Sequence, residues 1–324
     1  MLKELNFSPP PSNDILYEER ILSTPSHYAY LKISEGCNHT CAFCAIPLMR
    51  GKHHSKSIEM LVQEARELSR RGVKELIIIS QDTTFYGLDL YGQQRLIDLL
   101  KELEAIEGIE WIRLHYLYPT TVQNELFELM AGSSKIVPYL DMPIQHISDR
   151  MLKIMKRGGT SRRIREIFEL ARKLIPDVIL RTTLIVGHPG ETENDFKVLK
   201  DFVGEMEFDR LGVFTYSHEE NTAAYHLEDL PEEVKTERYN TIMELQQGIS
   251  LKRNQSRIGK IMKVIIDEID WSSLTAFGRT TGDSPEIDNE VVITNLSSAL
   301  KVGEFVDVRI ADATEYELYG EIEV

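Results

Sequence analysis

The chain has 324 residues, 42% hydrophobic and 27% charged, the balance of a soluble globular protein of about two domains. Its formal charge of −15 repels nucleic acid at long range and favours basic partners. No apolar run approaches the roughly 18 to 20 residues that cross a bilayer, and the first residues lack the cationic and apolar pattern of a signal peptide, so the expectation is a cytosolic protein with reduced thiols.

Residues 1–26 carry the run Pro9, Pro10, Pro11 and no sustained period, which predicts a linker, with further polypeptide expected before it. A repeating alternation follows. "YAYLKIS" (28–34) predicts a strand, and Ile58, Leu61, Val62, Ala65 and Leu68 mark a helix over 57–71 that stops at Gly72. "KELIIIS" (74–80) has the unbroken apolar character of a strand covered on both faces. Further strands are predicted at 111–117, 138–144, 178–186 and 211–216. Helices are predicted at 93–107, 121–131, 148–157, 161–175, 192–206 and 231–256.

Six strand–helix units imply a parallel sheet, too short for the closed eight-stranded barrel and better suited to an open partial (βα)6 barrel. This α/β core is assigned to 27–256. Over 257–324 the pattern changes to short segments split by Gly, Asn and Asp, which predict five strands of a small antiparallel β-barrel.

All three cysteines, Cys37, Cys41 and Cys44, lie in "EGCNHTCAFC" after the first strand, on the strand C-terminal side where sites of open α/β sheets form. An odd number of clustered thiols in a chain of this size points to a metal centre rather than a disulfide. Zinc with His39 as fourth ligand is one reading, but structural zinc usually draws on two separated pairs. A [4Fe–4S] cluster with three thiolates is the other, and it leaves one iron open to a substrate.

That CxxxCxxC segment, "HYAYLKISEGCNHTCAFCAIPLMRG", resembles the radical S-adenosylmethionine (SAM) superfamily, and its methylthiotransferase branch in particular. "SQDTTFYG" (80–87), "MPIQHISDRMLKIMKRG" (142–158) and "RTTLIVGHPGETENDF" (181–196) are similar to the same branch, and the final barrel resembles a TRAM domain. The resemblance implies that Cys37, Cys41 and Cys44 hold one [4Fe–4S] cluster whose open iron chelates SAM, and that reductive cleavage of SAM yields a radical that abstracts hydrogen. It also implies SAM contacts at Phe43, Gln81, Asp82, Gln145, Arg181, Phe214 and Tyr216. All but Gln145 have a packing alternative: Phe43 beneath the loop, Gln81 and Asp82 as a helix cap or turn brace, Arg181 as a rim ion pair, Phe214 and Tyr216 as core. "GHPGE" reads equally as a strand-to-helix turn, and His53 and His54 as solvated surface.

Complete members of the branch carry a second [4Fe–4S] cluster on an N-terminal domain with three further cysteines. This sequence offers none, so it resembles the radical half alone, expected to cleave SAM without completing methylthio transfer unaided.

The barrel bears on the substrate. Residues 257–324 hold six basic and fourteen acidic residues, the reverse of a module that grips phosphates. Asp283, Glu286, Asp288 and Glu290 are expected among the acids that attract a basic protein. With the "IPLMRG" run, this favours resemblance to the enzymes that methylthiolate the β-carbon of an aspartate in ribosomal protein S12, with an electron donor as a further partner and no direct nucleic-acid binding. A tRNA adenosine methylthiotransferase and a non-catalytic iron–sulfur module are the alternatives.

Overall fold

The six apolar runs form parallel strands that follow chain order across one open sheet: β1 (Tyr28–Lys32), β2 (Glu75–Ile79), β3 (Trp111–Leu114), β4 (Ile136–Asp141), β5 (Ile179–Val186) and β6 (Arg210–Thr215). The structure is a computed structural model that describes residues 22–296 and 298–323. The proline run of the expected linker therefore lies outside the described residues.

Helices α1 (Ile58–Arg70), α2 (Leu96–Glu104), α3 (Asn124–Gly132), α4 (Asp149–Ile154), α5 (Ser161–Leu174) and α6 (Glu193–Met206) alternate with the strands, and α7 (Glu232–Gln255) follows β6. Their start signals are local. Ser57 caps α1 by accepting the Met60 N–H, and Thr192 and Asp195 close a reciprocal capping box at α6. Leu61, Ala65 and Leu68 of α1 pack with Leu76, Ile78, Ile112 and Leu114 in the main core. On β5 the helix-side residues Leu180, Thr182, Leu184 and Val186 are buried, while Ile179, Arg181, Thr183 and Ile185 on the concave side are half-buried. Among the described residues no helix is long and apolar enough to cross a membrane.

Two strands are shorter at their C-terminal ends than their hydrophobicity predicts. β3 stops at Leu114 because Tyr116 takes φ +58°, and β4 stops at Asp141 ahead of Gln145 at φ +70°. Both turn the backbone out of the ladder at the edge where the site forms.

Strands β7 (Ile261–Asp270), β8 (Thr275–Thr280), β9 (Glu290–Thr294), β10 (Phe305–Ala313) and β11 (Glu317–Ile322) close a barrel in the order β8-β9-β11-β10-β7. One neighbour pair, β9 with β11, is parallel, where an antiparallel barrel is expected from sequence. Five strands cannot alternate direction all the way round a closed ring, so one parallel pair is unavoidable.

The connection between β8 and β9 enters the concave side of the sheet. Thr281 O accepts a hydrogen bond from Arg113 Nη1 (2.8 Å), Ser284 Oγ meets His115 Nε2 (2.8 Å), and Asp288 Oδ2 accepts from Tyr139 Oη (2.6 Å). Asp283 pairs with Arg210, and Glu286 accepts from Tyr28 Oη at 3.1 Å. Arg279 joins Glu75 (2.8 Å) to Asp267 (2.7 Å). The expectation that Asp283 and Asp288 belong to a free acidic surface is thus corrected, whereas Glu286 is exposed as expected while accepting from Tyr28. Their charges answer cations and phenols of the sheet that lie far away in sequence.

Candidate active site

The cysteine loop begins where β1 ends. Gly36 takes φ +79°, and a Cβ there would lie 2.2 Å from the Lys52 carbonyl oxygen, so only glycine fits this close approach. The Cys37 N–H donates to Gly51 O (3.1 Å), and a two-residue ladder pairs Ser34–Glu35 with His54–Ser55 to close the base of the loop. Farther along, the Ala42 N–H donates to Met155 O and Ala42 O accepts from the Ala224 N–H, both at 2.8 Å. The loop is thereby tied to the segments after α4 and β6.

All three cysteines are free; Cys41 is buried, and Cys37 and Cys44 are half-buried. Burial pushes the Cys37 thiol up to about 11 and raises that of Cys44. Metal binding must therefore supply the driving force for their deprotonation. Arg157 faces Cys41: its Nη1 lies 3.6 Å from Cys41 Sγ and its guanidinium 4.0 Å above the Tyr118 ring, with a further bond to Pro143 O.

His39, the fourth ligand of the zinc reading, has other partners. Its ring stacks on Tyr118 at 3.8 Å and 8°, and Nε2 bonds Asp82 Oδ2 at 2.6 Å. Asp82 uses Oδ1 to accept the N–H groups of Thr84 and Phe85, so it braces the turn after β2 and fixes the loop histidine together. Among the described residues, no three His, Cys, Asp or Glu side chains gather as the ligands of a single metal ion.

Other expected site residues separate into two groups. Gln81 donates through Nε2 to Glu35 Oε1 (3.1 Å) beside the loop, while its Oε1 is buried without a partner among the described residues. Gln145, bridged to Leu184, likewise has a buried, unpartnered Oε1. Phe43 packs with Ala42, Tyr216, Ala224 and Ile185, so Phe43 and Tyr216 form an apolar wall under the loop. Phe43 belongs to the cysteine loop itself, Tyr216 packs in the same cluster as Ala42 and Phe43, and Gln81 reaches the loop base through Glu35. Arg181 is ion-paired with Asp141 (2.9 Å) and Asp288 (3.4 Å), the rim pairing named as the alternative to a SAM contact. Phe214 is 61% exposed rather than core.

His53 is a correction. It is 3% exposed, not solvated, with its N–H on Asn38 Oδ1 and its ring against Phe85, and burial lowers its pKa. His54 is exposed. "GHPGE" is built around Glu191, which accepts from the Gly187 N–H (2.6 Å), bonds His146 Nε2 (3.0 Å) and pairs with Arg238 (2.6 Å). This fixes His188 edge-on to Phe43 and Tyr216, with Nδ1 on Pro189 O and a buried Nε2 lacking a partner among the described residues. Sequence reasoning missed His188, Tyr118 and Arg157. For His188 and Arg157 the signals available were the stretches that hold them, "GHPGE" and the "KRG" that ends at Gly158; Tyr118 lies in neither.

The donor set fits a three-thiolate cluster and a polar ligand beside it. The loop carries three thiols with Arg157 against one of them, Gln81 and Gln145 each hold a buried acceptor without a partner among the described residues, and Phe43 and Tyr216 share one apolar cluster. An unpartnered buried carbonyl is costly unless a ligand or water completes it.

Comparison with known proteins agrees. The family model "Radical SAM superfamily" matches residues 31–203, and the model "TRAM domain" matches residues 258–322. The ribosomal protein uS12 methylthiotransferase RimO of Flavobacterium johnsoniae is 54% identical over 307 residues, 94% of this chain and 70% of that protein. The protein of the same name from Acetivibrio thermocellus is 49% identical over 312 residues, 96% of this chain and 69% of its own. Among solved structures, coproporphyrinogen III oxidase (HemN) from Escherichia coli, a radical SAM enzyme, superimposes with a TM-score of 0.52 at 19% identity, covering 71% of this chain and 55% of that one. That likeness is one of fold.

Proposed function

The chain belongs to the radical SAM superfamily and, within it, to the uS12 methylthiotransferases, and from that premise we propose that it acts on ribosomal protein S12 through a [4Fe–4S] cluster and SAM. The observation that carries this reading is the single loop that gathers every cysteine of a chain 54% identical to such an enzyme. Cys37, Cys41 and Cys44 hold the cluster. When bound, the cluster and SAM supply one-electron reduction and hydrogen-atom abstraction from an unactivated C–H bond.

The chain's own residues bind and orient. Arg157 offsets the negative charge that three thiolates bring to the loop. The free Oε1 atoms of Gln81 and Gln145 accept hydrogen bonds from SAM's polar groups, and Asp82 holds His39 and the turn that presents Gln81. Phe43, Tyr216 and His188 form a dry wall against which an adenine can pack. Phe214 stands open on β6 toward an incoming substrate. Arg181 serves the joint between sheet and barrel.

The target is the β-carbon of an aspartate in S12, and an electron donor reduces the cluster, both in the cytosol. Methylthio transfer also calls for a second cluster. The three cysteines here are committed to one, so its ligands come from polypeptide outside this sequence.

The test uses S12 carrying β-deuterated aspartate, incubated anaerobically with the reconstituted protein, SAM and a reductant. Deuterium should appear in the 5′-deoxyadenosine produced. Its absence, with tRNA rather than S12 stimulating SAM cleavage, would reject S12 as substrate.

A further inference from the structure

Tyr116 follows β3 with φ +58°, a backbone that is uncommon outside glycine and costly for an aromatic residue. The turn breaks the alternation of the strand. Leu114 and Leu117 are buried in the main core, whereas Tyr116 is 47% exposed, with its ring 5.8 Å from that of His115.

The strained conformation is clamped on both sides. The Tyr116 N–H donates to Asp141 Oδ2 (3.1 Å), and its carbonyl accepts the Thr83 N–H (3.1 Å), one residue beyond Asp82. Asp141 is fully buried and fixed by His115 Nδ1 (3.0 Å) and Arg181 (2.9 Å), and His115 Nε2 reaches Ser284 of the barrel. Such over-determination holds one unfavourable residue in a single pose at the C-terminal edge of the sheet, hydrogen-bonded to the turn whose Asp82 holds His39 of the cysteine loop.

The hydroxyl thus presented is a free donor. The other phenols of the concave wall that meet the barrel, Tyr28 and Tyr139, already donate to Glu286 and Asp288. Arg113, Arg181, Arg210 and Arg279 are each ion-paired. Tyr116 Oη has no hydrogen-bond partner among the described residues. A carboxylate brought to this wall therefore meets ion-paired arginines and the unengaged O–H of Tyr116.

We propose that Tyr116 is a specificity-determining residue whose hydroxyl donates a hydrogen bond to the carboxylate of the target aspartyl side chain. The assignment rests on the S12 reading above. A hydrogen bond to a charged acceptor that is lost on mutation typically costs tenfold or more in affinity.

The experiment titrates the cluster-loaded, SAM-bound protein, wild type and Tyr116→Phe, with S12 and with S12 whose target aspartate is replaced by asparagine, and measures SAM affinity in parallel. Wild type should prefer the aspartate form by about tenfold. Tyr116→Phe should weaken binding of that form alone, erase the preference and leave SAM affinity unchanged. A Tyr116→Phe protein that keeps the wild-type preference overturns the assignment, as does a wild type that binds both forms equally, and in either case the S12 reading stands. A wild type that binds neither form overturns that reading and this assignment with it.

Discussion

Arg157 is the residue whose role is most exposed to measurement. Its guanidinium lies against Cys41 Sγ and above Tyr118, so it sits where added negative charge on a reduced cluster is felt. Arg157→Met should keep the cluster but shift its midpoint to more negative values, on the order of tens of millivolts, in an EPR-monitored redox titration. An unchanged midpoint would mean the charge is screened. Asp82 binds His39 and two turn N–H groups. Its replacement by alanine should cost about 1–3 kcal/mol in urea unfolding and loosen the loop. At this scale the sequence was legible where chemistry is intrinsic to the residue, as with the three cysteines. It was not legible where a distant partner decides. Nothing near His53 announces that Asn38 and Phe85 will enclose it.

At the scale of elements, apolar runs bounded by Gly and polar residues marked all six core strands, because both faces of a central parallel strand are covered and its composition records that. The ends of β3 and β4 were not marked, since Tyr116 and Gln145 adopt positive φ through tertiary hydrogen bonds rather than through glycine. The β5–α6 turn is held by Glu191, whose side chain is fully buried and faces Gly187, His146 and Arg238. Glu191→Ala leaves the buried Arg238 short of its partner and should destabilise the fold by about 3–5 kcal/mol, read from denaturant midpoints. A loss below about 1 kcal/mol would show that solvent reaches Arg238 readily.

Across the whole molecule, counting charge along the barrel sequence found its sign but not its use. Asp283 is spent on Arg210 and Asp288 on Tyr139 and Arg181, whereas Glu268, Glu290, Asp307, Asp312 and Glu321 remain exposed. Glu290 is raised above its ordinary pKa by burial and then by Glu317, Asp267 and Glu268, the mark of acids that repel one another and would gain from a cationic partner. Reversing Glu268, Glu290, Asp307 and Glu321 to lysine should slow association with basic S12 at low salt without unfolding, while Asp283→Lys should disrupt the joint. Equal association rates in stopped flow would remove the barrel acids from recognition. The joint itself should be acid-sensitive. Burial raises Glu75, Asp141 and Asp283, but Arg279 and Arg113 beside Glu75, His115 and Arg181 beside Asp141, and Arg210 and Arg257 beside Asp283 more than offset it. All three lie below the usual carboxylate range. Their stabilisation is complete above the unfolded value of about 4 and is lost as pH falls below it. Thermal stability should therefore decline gently below about 6.5, where the buried His53 and His188, both lowered in pKa, resist protonation, and fall steeply below 4.

The central claim is that one loop of three cysteines carries a SAM-cleaving [4Fe–4S] cluster. It is tested most directly by anaerobic reconstitution, with iron and acid-labile sulfide assayed beside reductive SAM cleavage in wild type and in Cys37→Ala, Cys41→Ala and Cys44→Ala. The account predicts iron and sulfide in equal amounts at one cluster per chain, with 5′-deoxyadenosine formed only by the wild type. One zinc per chain, no sulfide and no cleavage would contradict it.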